Sequence, residues 1–262
     1  MPLLLPLPPH LPPPPPPVIH HPRQNHLLAA LALPEFDRLL PHLALVELRL
    51  GEVVCEAGAP VHSVYFPTTA ILSSQYSFED GGASEVAGIG NEGVLGLSLF
   101  MGGQTTISRT VVQTGGHGYR LPDGILMAEF QRTGAVFRRL LRHTHALIAQ
   151  ISQTAACNRH HSLHQQLCRW LLLTMDRLPG TELTMTQELI AGMLGVRREG
   201  VTEAAGRLQD LRLIRYRRGH ITVLDRIGLE QQVCECYQVV KNEFARLLTD
   251  TVPGRRNATV LA

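Results

Sequence analysis

Residues 186–208, TQELIAGMLGVRREGVTEAAGRL, decide the architecture of the C-terminal part of this chain. Thr186 is a residue type that caps helices, and the apolar spacing after it predicts two helices, over 187–194 and 197–208. Gly195 lies between them, where a tight turn needs a positive backbone torsion. A small alanine four residues before this glycine lets two steeply crossing helices come close. The combination predicts a helix-turn-helix unit.

A basic hairpin follows the second helix. Residues 211–214 and 221–224 are short apolar runs, and residues 215–220 (RYRRGH) between them are typical of a strand, a turn and a strand. The segment Thr184–His220 holds seven arginines and four carboxylates. Because arginines bracket both the second helix and the hairpin, we interpret the unit as a winged domain that meets DNA phosphate at these two places.

Position along the unit predicts individual DNA contacts. Arg198 and Glu199 stand near the start of the second helix, the end that enters the major groove. An arginine there can hold guanine O6 and N7, and a glutamate can accept from cytosine N4. The predicted base contacts are Arg198, Glu199 and Thr202, and the predicted phosphate contacts are Thr186, Arg197, Arg217 and Arg218. The alternative for an isolated helix is a solvated face, but the turn glycine and the basic wing favour DNA.

The N-terminal half has a different pattern. Short apolar runs over 61–66, 70–74, 86–89 and 108–113 are separated by glycine-containing turns, which predicts an all-β barrel, roll or sandwich. A short helix or a pair of helices is expected over 27–40. The proline-rich residues 1–26 are expected to be extended coil. A disordered tail, or a start codon placed too far upstream, is favoured over a partner-docking motif. The histidines interpreted as tail residues are His10, His20, His21 and His26.

A glycine-free stretch from Ala135 to Leu178 predicts two helices. Apolar residues recur at threes and fours between Phe137 and Ala155, which suits a dimerisation helix. The alternative is that this stripe packs on the chain's own β domain. A second helix is predicted over 163–175, and a further amphipathic helix, with no assigned packing partner, over 227–248.

Together these segments resemble the Crp/Fnr family of transcription regulators. The resemblance rests on residues 194–202 (LGVRREGVT) with the wing, and on 49–52, 56–58 and 64–66 in the β region. It covers roughly residues 30–226. The fold it implies is α+β, with an N-terminal antiparallel β-roll (jelly roll), a long dimerisation helix and a C-terminal winged helix-turn-helix domain. The expected domains are a tail over 1–26, a sensor β-roll over 27–132, a dimerisation helix over 133–157, the DNA-binding domain over 158–226 and a C-terminal helix and tail over 227–262.

The resemblance also implies partners. A homodimer would place two recognition helices about 34 Å apart on an inverted repeat in double-stranded DNA. We expect a cytoplasmic protein with no enzymatic activity, and RNA polymerase as a partner is left open. Residue 203 is glutamate where cyclic-AMP-responsive members carry a second base-contacting arginine, so a different target sequence is expected.

The ligand pocket departs from those members. They carry a Gly-Glu before Leu-Gly-Leu-Phe and an Arg-Ser soon after. Here Gly96 occupies the place of the glutamate, and Arg109 lies nine residues after Phe100 instead of six. A bound ribose would lack its carboxylate partner, so we expect no ordinary cyclic-AMP response. Gly96, Ser108 and Arg109 remain a candidate anion site, the alternative for Arg109 being a salt-bridged or solvated strand residue. A sensing β-roll and a ligand-free scaffold both stay open.

The five cysteines fit reduced thiols better than a disulfide framework. None precedes Cys55, which excludes the N-terminal iron–sulfur cluster of the family's redox branch. A group with helical metal-ligand spacing is formed by Cys157, His160, His161, His164 and Cys168. Such spacings arise readily by chance, so we expect no cofactor and no metal. A metal-dependent enzyme using Cys157, His161 and His164 is the remote alternative, since no nucleophile–base, P-loop or paired-carboxylate signature accompanies them.

Composition sets few further limits. The formal net charge of +2 says little about partners. No run approaches the roughly eighteen apolar residues of a membrane span. The first residues lack the basic region and apolar core of a signal peptide.

Overall fold

The structure is a computed structural model that describes residues 20–79 and 81–248. The N-terminal strands are β1 (Ala44–Leu48), β2 (Val53–Cys55), β3 (Ser63–Pro67), β4 (Ile71–Ser77), β5 (Ala83–Ile89), β6 (Arg109–Thr114) and β7 (Gly116–Pro122). Helices α1 (His26–Ala29) and α2 (Leu33–Leu39) precede them, and α3 (Asp123–Gln131) and α4 (Ala135–His160) follow. The C-terminal elements are α5 (Leu163–Met175), β8 (Glu182–Thr184), α6 (Gln187–Leu194), α7 (Arg198–Asp210), β9 (Ile214–Arg217), β10 (His220–Val223), α8 (Arg226–Gln232) and α9 (Cys236–Leu248).

The N-terminal strands form two antiparallel sheets, ordered β1-β7-β3 and β2-β6-β4-β5. Val64 and Phe66 are both buried, because alternate residues of β3 face the same side of its sheet. They join a cluster with apolar residues of α1, α2 and α3. Leu72 and Val112 belong to a second cluster, which also takes up Leu48 from the other sheet. The all-β region predicted from the glycine-punctuated runs, and the antiparallel β-roll that the resemblance implied for it, are confirmed.

The end of the proline-rich segment is folded, which corrects the prediction of a tail through residue 26. Asn25 is fully buried, and its side chain donates to the carbonyl oxygens of Pro67 and Gly93 at 2.9 and 2.8 Å. Its Oδ1 also caps α1. His20 and His21 are packed too, with ring centroids 4.0 Å from His117 and 6.2 Å from Phe36. Residues 1–19, including His10, lie outside the described residues.

The apolar residues predicted to form one stripe on helix α4 lie in two different environments. Leu140 and Thr144 are buried against the β-roll. Leu141, Ile148 and Ile151 are 45%, 53% and 38% exposed. One part of the stripe therefore packs on the chain's own β domain, and the other part remains on the surface. Neither α4 nor any other helix within 20–79 and 81–248 is long and apolar enough to cross a membrane.

The C-terminal elements surround a core of their own. Strands β8, β9 and β10 form a three-stranded antiparallel sheet in the order β8-β10-β9, so the wing has one strand more than the predicted hairpin. Helix α5 covers the residues predicted for it, and α7 crosses it closely. A Cβ atom on Gly200 of α7 would come within 2.7 Å of the Leu163 side chain. The largest fully buried residues of this core are Leu167, Leu171, Leu172, Met185, Ile190 and Leu208.

The single helix predicted over 227–248 is wrong, because two helices occupy that segment. Val233 has an extended backbone and ends α8, and α9 begins at Cys236. Helix α9 then runs back along α4. The Gln153 amide donates to the Cys236 sulfur at 3.1 Å, and further along the Phe244 and His143 ring centroids are 6.4 Å apart. The packing partner of the last helix is therefore α4.

Polar contacts join the β-roll to the C-terminal domain along one seam. Ser73 and the Gln75 amide donate to the sulfur of Met193 on α6 at 3.2 and 3.1 Å. The Arg177 guanidinium, just after α5, lies 2.9 Å from the Glu92 carboxylate, and both side chains are largely buried. The carboxyl group of Glu85 lies in the same seam, and burial raises its pKa.

We expect His143 to make stability depend on pH between about 4 and 6.5. Burial lowers the pKa of this histidine to about 4, and its Nε2 accepts a hydrogen bond from the Val94 N–H at 3.3 Å. The carboxylate of Glu92 opposes this shift, and Arg177 adds to it. Since the unfolded chain takes up the proton first, stability is complete above pH 6.5 and falls by up to about 3 kcal/mol as pH drops towards 4.

Urea unfolding of His143→Gln at several pH values checks this expectation, because glutamine can still accept from the Val94 N–H but does not titrate. The variant should show a shallower loss of stability below pH 6.5 than the unaltered chain. His145→Gln is the control, since His145 is 61% exposed on the same helix. Equal slopes for all three proteins would contradict the assignment.

Candidate nucleic-acid interface and ligand cavity

The turn between α6 and α7 has the geometry predicted for a helix-turn-helix unit. Thr186 caps α6, its hydroxyl oxygen accepting from the Leu189 N–H at 3.2 Å. Gly195 ends the helix with φ of 65° and ψ of 37°, the left-handed conformation that the sequence predicted. Its N–H donates to the Ala191 carbonyl oxygen, so the turn closes onto the last turn of α6.

Helix α7 presents one face to its own core and the other to solvent. Val201, Ala204, Ala205 and Leu208 are buried. The predicted base contacts Arg198, Glu199 and Thr202 are all exposed. The helix begins one residue later than predicted, because Arg197 has an extended backbone and serves as the N-cap residue. Arg197 is also exposed, beside the turn.

Gln187, which the sequence did not identify, accepts a hydrogen bond from Thr202, one of the predicted base-contacting residues. Its side-chain oxygen is 2.8 Å from the Thr202 hydroxyl, which also lies 3.1 Å from the Arg198 carbonyl oxygen. The Thr202 proton is therefore engaged within the protein, and its oxygen lone pairs and methyl group remain for a base. A polar residue directly after the cap of the first helix is the signal that would have identified Gln187.

The wing turns through two residues, Arg218 and Gly219, with φ of 49° and 80°. Positive φ at both central positions is the type I′ pattern, whose twist matches that of the flanking strands. Arg217 and Arg218 are exposed at this tip. The wing is tied to the residue just before the α6 cap. The Met185 N–H donates to the Gly219 carbonyl oxygen at 2.7 Å, and the Tyr216 hydroxyl donates to the Met185 carbonyl oxygen at 2.7 Å.

An open groove lies between the start of α6, the exposed face of α7 and the wing. It brings together three of the predicted DNA contacts, Thr186, Arg198 and Arg218. Glu199, Thr202, Arg197 and Arg217 lie outside the groove lining but on the same exposed elements. The groove is also lined by Gln187, Glu188, Gln209, Tyr216 and Gly219, which the sequence analysis did not assign.

The β-roll contains a cavity of about 570 Å³. Gly96 and Ser108 line it, as predicted for a candidate anion site. Arg109 is not among the lining residues, and its Nε lies 3.2 Å from the Glu56 carboxylate. The arginine that does line the cavity is Arg120 on β7, which the sequence did not identify. Leu147 and Ile151 of α4 close one side of the cavity.

The backbone at Gly96 explains why this position carries no side chain. Its φ is 109°, a conformation that side chains rarely adopt. A Cβ atom there would come within 2.8 Å of a Val64 methyl carbon and within 3.3 Å of the Ser63 carbonyl oxygen. A glutamate at this place would therefore be strained and crowded.

The predicted histidine and cysteine group is only partly assembled. Cys157 and His161 meet at the end of α4, where Cys234 and Cys236 join them. His160, His164 and Cys168 are not part of this cluster. The His164 Nε2 lies 3.3 Å from the Gln232 side-chain oxygen, and Cys168 is buried in the C-terminal core, where burial raises the pKa of its thiol to about 12.

Comparison with known proteins identifies the C-terminal part. Residues 165–232 match the family model of the Crp-like helix-turn-helix domain. No curated protein sequence matches this chain.

Solved structures match over most of their own length. FixK2 from Bradyrhizobium japonicum is 18% identical with a TM-score of 0.62, over 73% of this chain and 98% of that one. A Crp/Fnr-family transcriptional regulator from Thermus thermophilus is 22% identical with a TM-score of 0.57, over 74% and 98%. The c-di-GMP-responsive global regulator CLP from Xanthomonas campestris is 16% identical with a TM-score of 0.56, over 73% and 99%. At these identities the property shared is the fold.

We expect Gly195→Ala to destabilise the chain by roughly 1–3 kcal/mol, because alanine is strained at positive φ. The added Cβ atom would also come within 2.9 Å of the Ser84 hydroxyl on β5. Urea unfolding measures the change. Gly192→Ala is the matched control, since a Cβ atom at this position in α6 meets nothing within 4 Å. It should stabilise by about 0.5–1 kcal/mol, and a neutral Gly195→Ala would contradict the role of the turn.

Proposed function

We propose that this chain, which has the Crp/Fnr fold and a Crp-like helix-turn-helix domain, is a transcription regulator that binds an inverted repeat in DNA as a homodimer. The observation that carries the proposal is the exposed face of α7, with Arg198, Glu199 and Thr202 outward and its apolar residues buried. A regulator of this kind works in the cytoplasm, where the DNA is.

We assign base contacts and phosphate contacts to different residues of the domain. Arg198 stands in the first turn of α7, where its guanidinium can reach guanine O6 and N7 together, and Glu199 beside it can accept from cytosine N4. Thr202, held by Gln187, offers its methyl group and an acceptor oxygen. For phosphate we propose Arg197 at the start of α7, Thr186 at the N-terminus of α6, and Arg217 and Arg218 at the tip of the wing.

The exposed part of the α4 stripe supports a homodimer. Leu141, Ile148 and Ile151 follow one another at intervals of seven and three residues, the spacing of a coiled-coil seam. They leave apolar side chains in water in the single chain. Pairing two α4 helices would bury this stripe and place two recognition helices on one side of the DNA.

The cavity in the β-roll favours regulation by a small molecule over a ligand-free scaffold. Its volume of about 570 Å³ lies in the range of small-molecule sites. We propose that the ligand differs from cyclic AMP, because Gly96 cannot supply the ribose-binding carboxylate and Arg109 is paired with Glu56 outside the lining. We expect no enzymatic activity from the cysteine and histidine group, since the thiols of Cys157, Cys234 and Cys236 are buried.

Selection of bound duplexes from a random pool tests the function. The unaltered chain should enrich an inverted repeat with half-sites about one helical turn apart. Arg198→Ala should lose about 1–3 kcal/mol at the selected site and relax the preference at one base pair per half-site.

Arg218→Asn is the matched variant for a phosphate contact. Asparagine tolerates the positive φ of this turn position, so the wing keeps its shape while one charge is removed. Binding should weaken to a similar degree on all sequences, and the salt dependence should fall by about one phosphate contact per chain. An Arg198→Ala that weakened all sequences equally would make Arg198 a phosphate contact, and no binding to duplex DNA at low salt would end the proposal.

Thermal unfolding with cyclic nucleotides tests the ligand cavity. Micromolar cyclic AMP or cyclic GMP should leave the melting temperature unchanged, because a ligand stabilises a protein only in proportion to its binding. Gly96→Glu should not create a response, since the side chain would meet Val64 instead of a ribose. A rise of several degrees with the unaltered chain would overturn this expectation.

A further inference from the structure

Four potential metal ligands meet where the last turn of α4 faces the break between α8 and α9. They are Cys157, His161, Cys234 and Cys236, and one ligand atom from each lies within 4.8 Å of all the others. The Cys157 and Cys234 sulfur atoms are 3.6 Å apart, and the Cys236 sulfur is 3.4 Å from the His161 Nδ1. The three cysteines are buried, and they form a small cluster of their own with Val233.

The Cys157–Cys234 sulfur separation and the separation of the Cys236 sulfur from the His161 Nδ1 both match the ligand shell of a single tetrahedral ion. With Zn–S of about 2.3 Å and Zn–N of about 2.0–2.1 Å, tetrahedral angles place two sulfurs about 3.8 Å apart and a sulfur and a nitrogen about 3.6 Å apart. The two distances above are each within about 0.2 Å of these values. An iron–sulfur cluster puts its own irons and sulfides between the thiolates, so it needs them farther apart.

We propose that Cys157, His161, Cys234 and Cys236 bind one Zn²⁺ ion. Three thiolates and one imidazole fill all four positions of a tetrahedral ion and leave none for a substrate, so the site is structural. It differs from the group that the sequence suggested, because two of its ligands come from the last helices of the chain.

The surroundings of the four ligands suit this assignment. The His161 Nε2 lies 3.3 Å from a Glu235 carboxylate oxygen, so a ring that binds metal through Nδ1 donates its remaining N–H to an acid. The Gln153 amide donates to the Cys236 sulfur at 3.1 Å. Three thiolates with Zn²⁺ carry one net negative charge, and the buried Arg169 guanidinium, which donates to Thr154 one turn before Cys157, supplies a positive one nearby.

The backbone explains how distant residues reach one point. Cys157 lies in the last turn of α4, and His161, the C-cap residue that follows the helix, donates its N–H to the Cys157 carbonyl oxygen at 2.9 Å, which brings both residues to the same end of the helix. Cys234 and Cys236 flank the point where α9 begins, and the extended residue Val233 turns the chain towards α4. The ion would therefore fasten the end of the DNA-binding domain, through α8, and the start of α9 onto α4.

Metal analysis of the purified full-length chain, kept reduced, tests the proposal. We expect one zinc per chain by mass spectrometry of the digested protein. After exchange, Co²⁺ should give the intense d–d bands of a tetrahedral ion and a thiolate-to-cobalt charge-transfer band. Cys234→Ser should abolish stoichiometric metal, and His161→Gln should weaken its retention against a chelator. His160→Gln and Cys55→Ser are the controls, and both should keep one ion per chain.

If the variants do not fold, the zinc content and the cobalt spectrum of the unaltered chain are sufficient to test the proposal. A chain that carries no zinc and gives no thiolate-to-cobalt band would overturn the proposal. Metal that survives Cys234→Ser with an unchanged cobalt spectrum would place the ion elsewhere and overturn the proposal as well.

Discussion

The rest of the structure depends on one long helix that meets three different surfaces. Helix α4 runs from Ala135 to His160, which corresponds to a rod of about 39 Å. One side carries Leu140, Thr144 and the buried His143 into the β-roll. A second side receives α9, and the exposed Leu141 and Ile148 lie on a third. The helix contains neither glycine nor proline, so it lacks the usual causes of a sharp kink and holds its three surfaces in a fixed order along one axis.

Features that depend on neighbouring residues were predictable from the sequence. The left-handed Gly195, the capping Thr186 and the outward Arg198 all follow from turn chemistry and helical spacing within about twenty residues. The division of the α4 stripe was not predictable in this way. Both the β-roll and a partner helix require the same apolar spacing, so only the tertiary contacts separate Leu140 from Leu141.

The remaining differences have identifiable causes. The break at Val233 contains neither glycine nor proline, and it coincides with the burial of Cys234 against Cys157. Arg109 lies outside the cavity lining although Ser108 and Thr110 on either side belong to it. Successive side chains of a strand face opposite sides, so Arg109 faces away from the cavity when Ser108 and Thr110 face it. Adjacent residues such as Ser108 and Arg109 therefore could not share one site. The ordered segment before α1 depends on Asn25, whose partners Pro67 and Gly93 are far along the chain.

The seam between the β-roll and the C-terminal domain has an energetic consequence. Hydrogen bonds to the Met193 sulfur and the Arg177–Glu92 pair can be exchanged for bonds to water, at a net cost of about 1 kcal/mol for a typical neutral bond and about 1.5–3 kcal/mol for one to a charged group. Wetting the seam would also relieve Glu85, whose carboxylate is disfavoured where it now lies. Opening this polar seam between the β-roll and the C-terminal domain therefore costs less free energy than opening an apolar contact would. In the regulation that we propose, a ligand that binds an opened seam more tightly by a few kcal/mol would be enough to populate that arrangement.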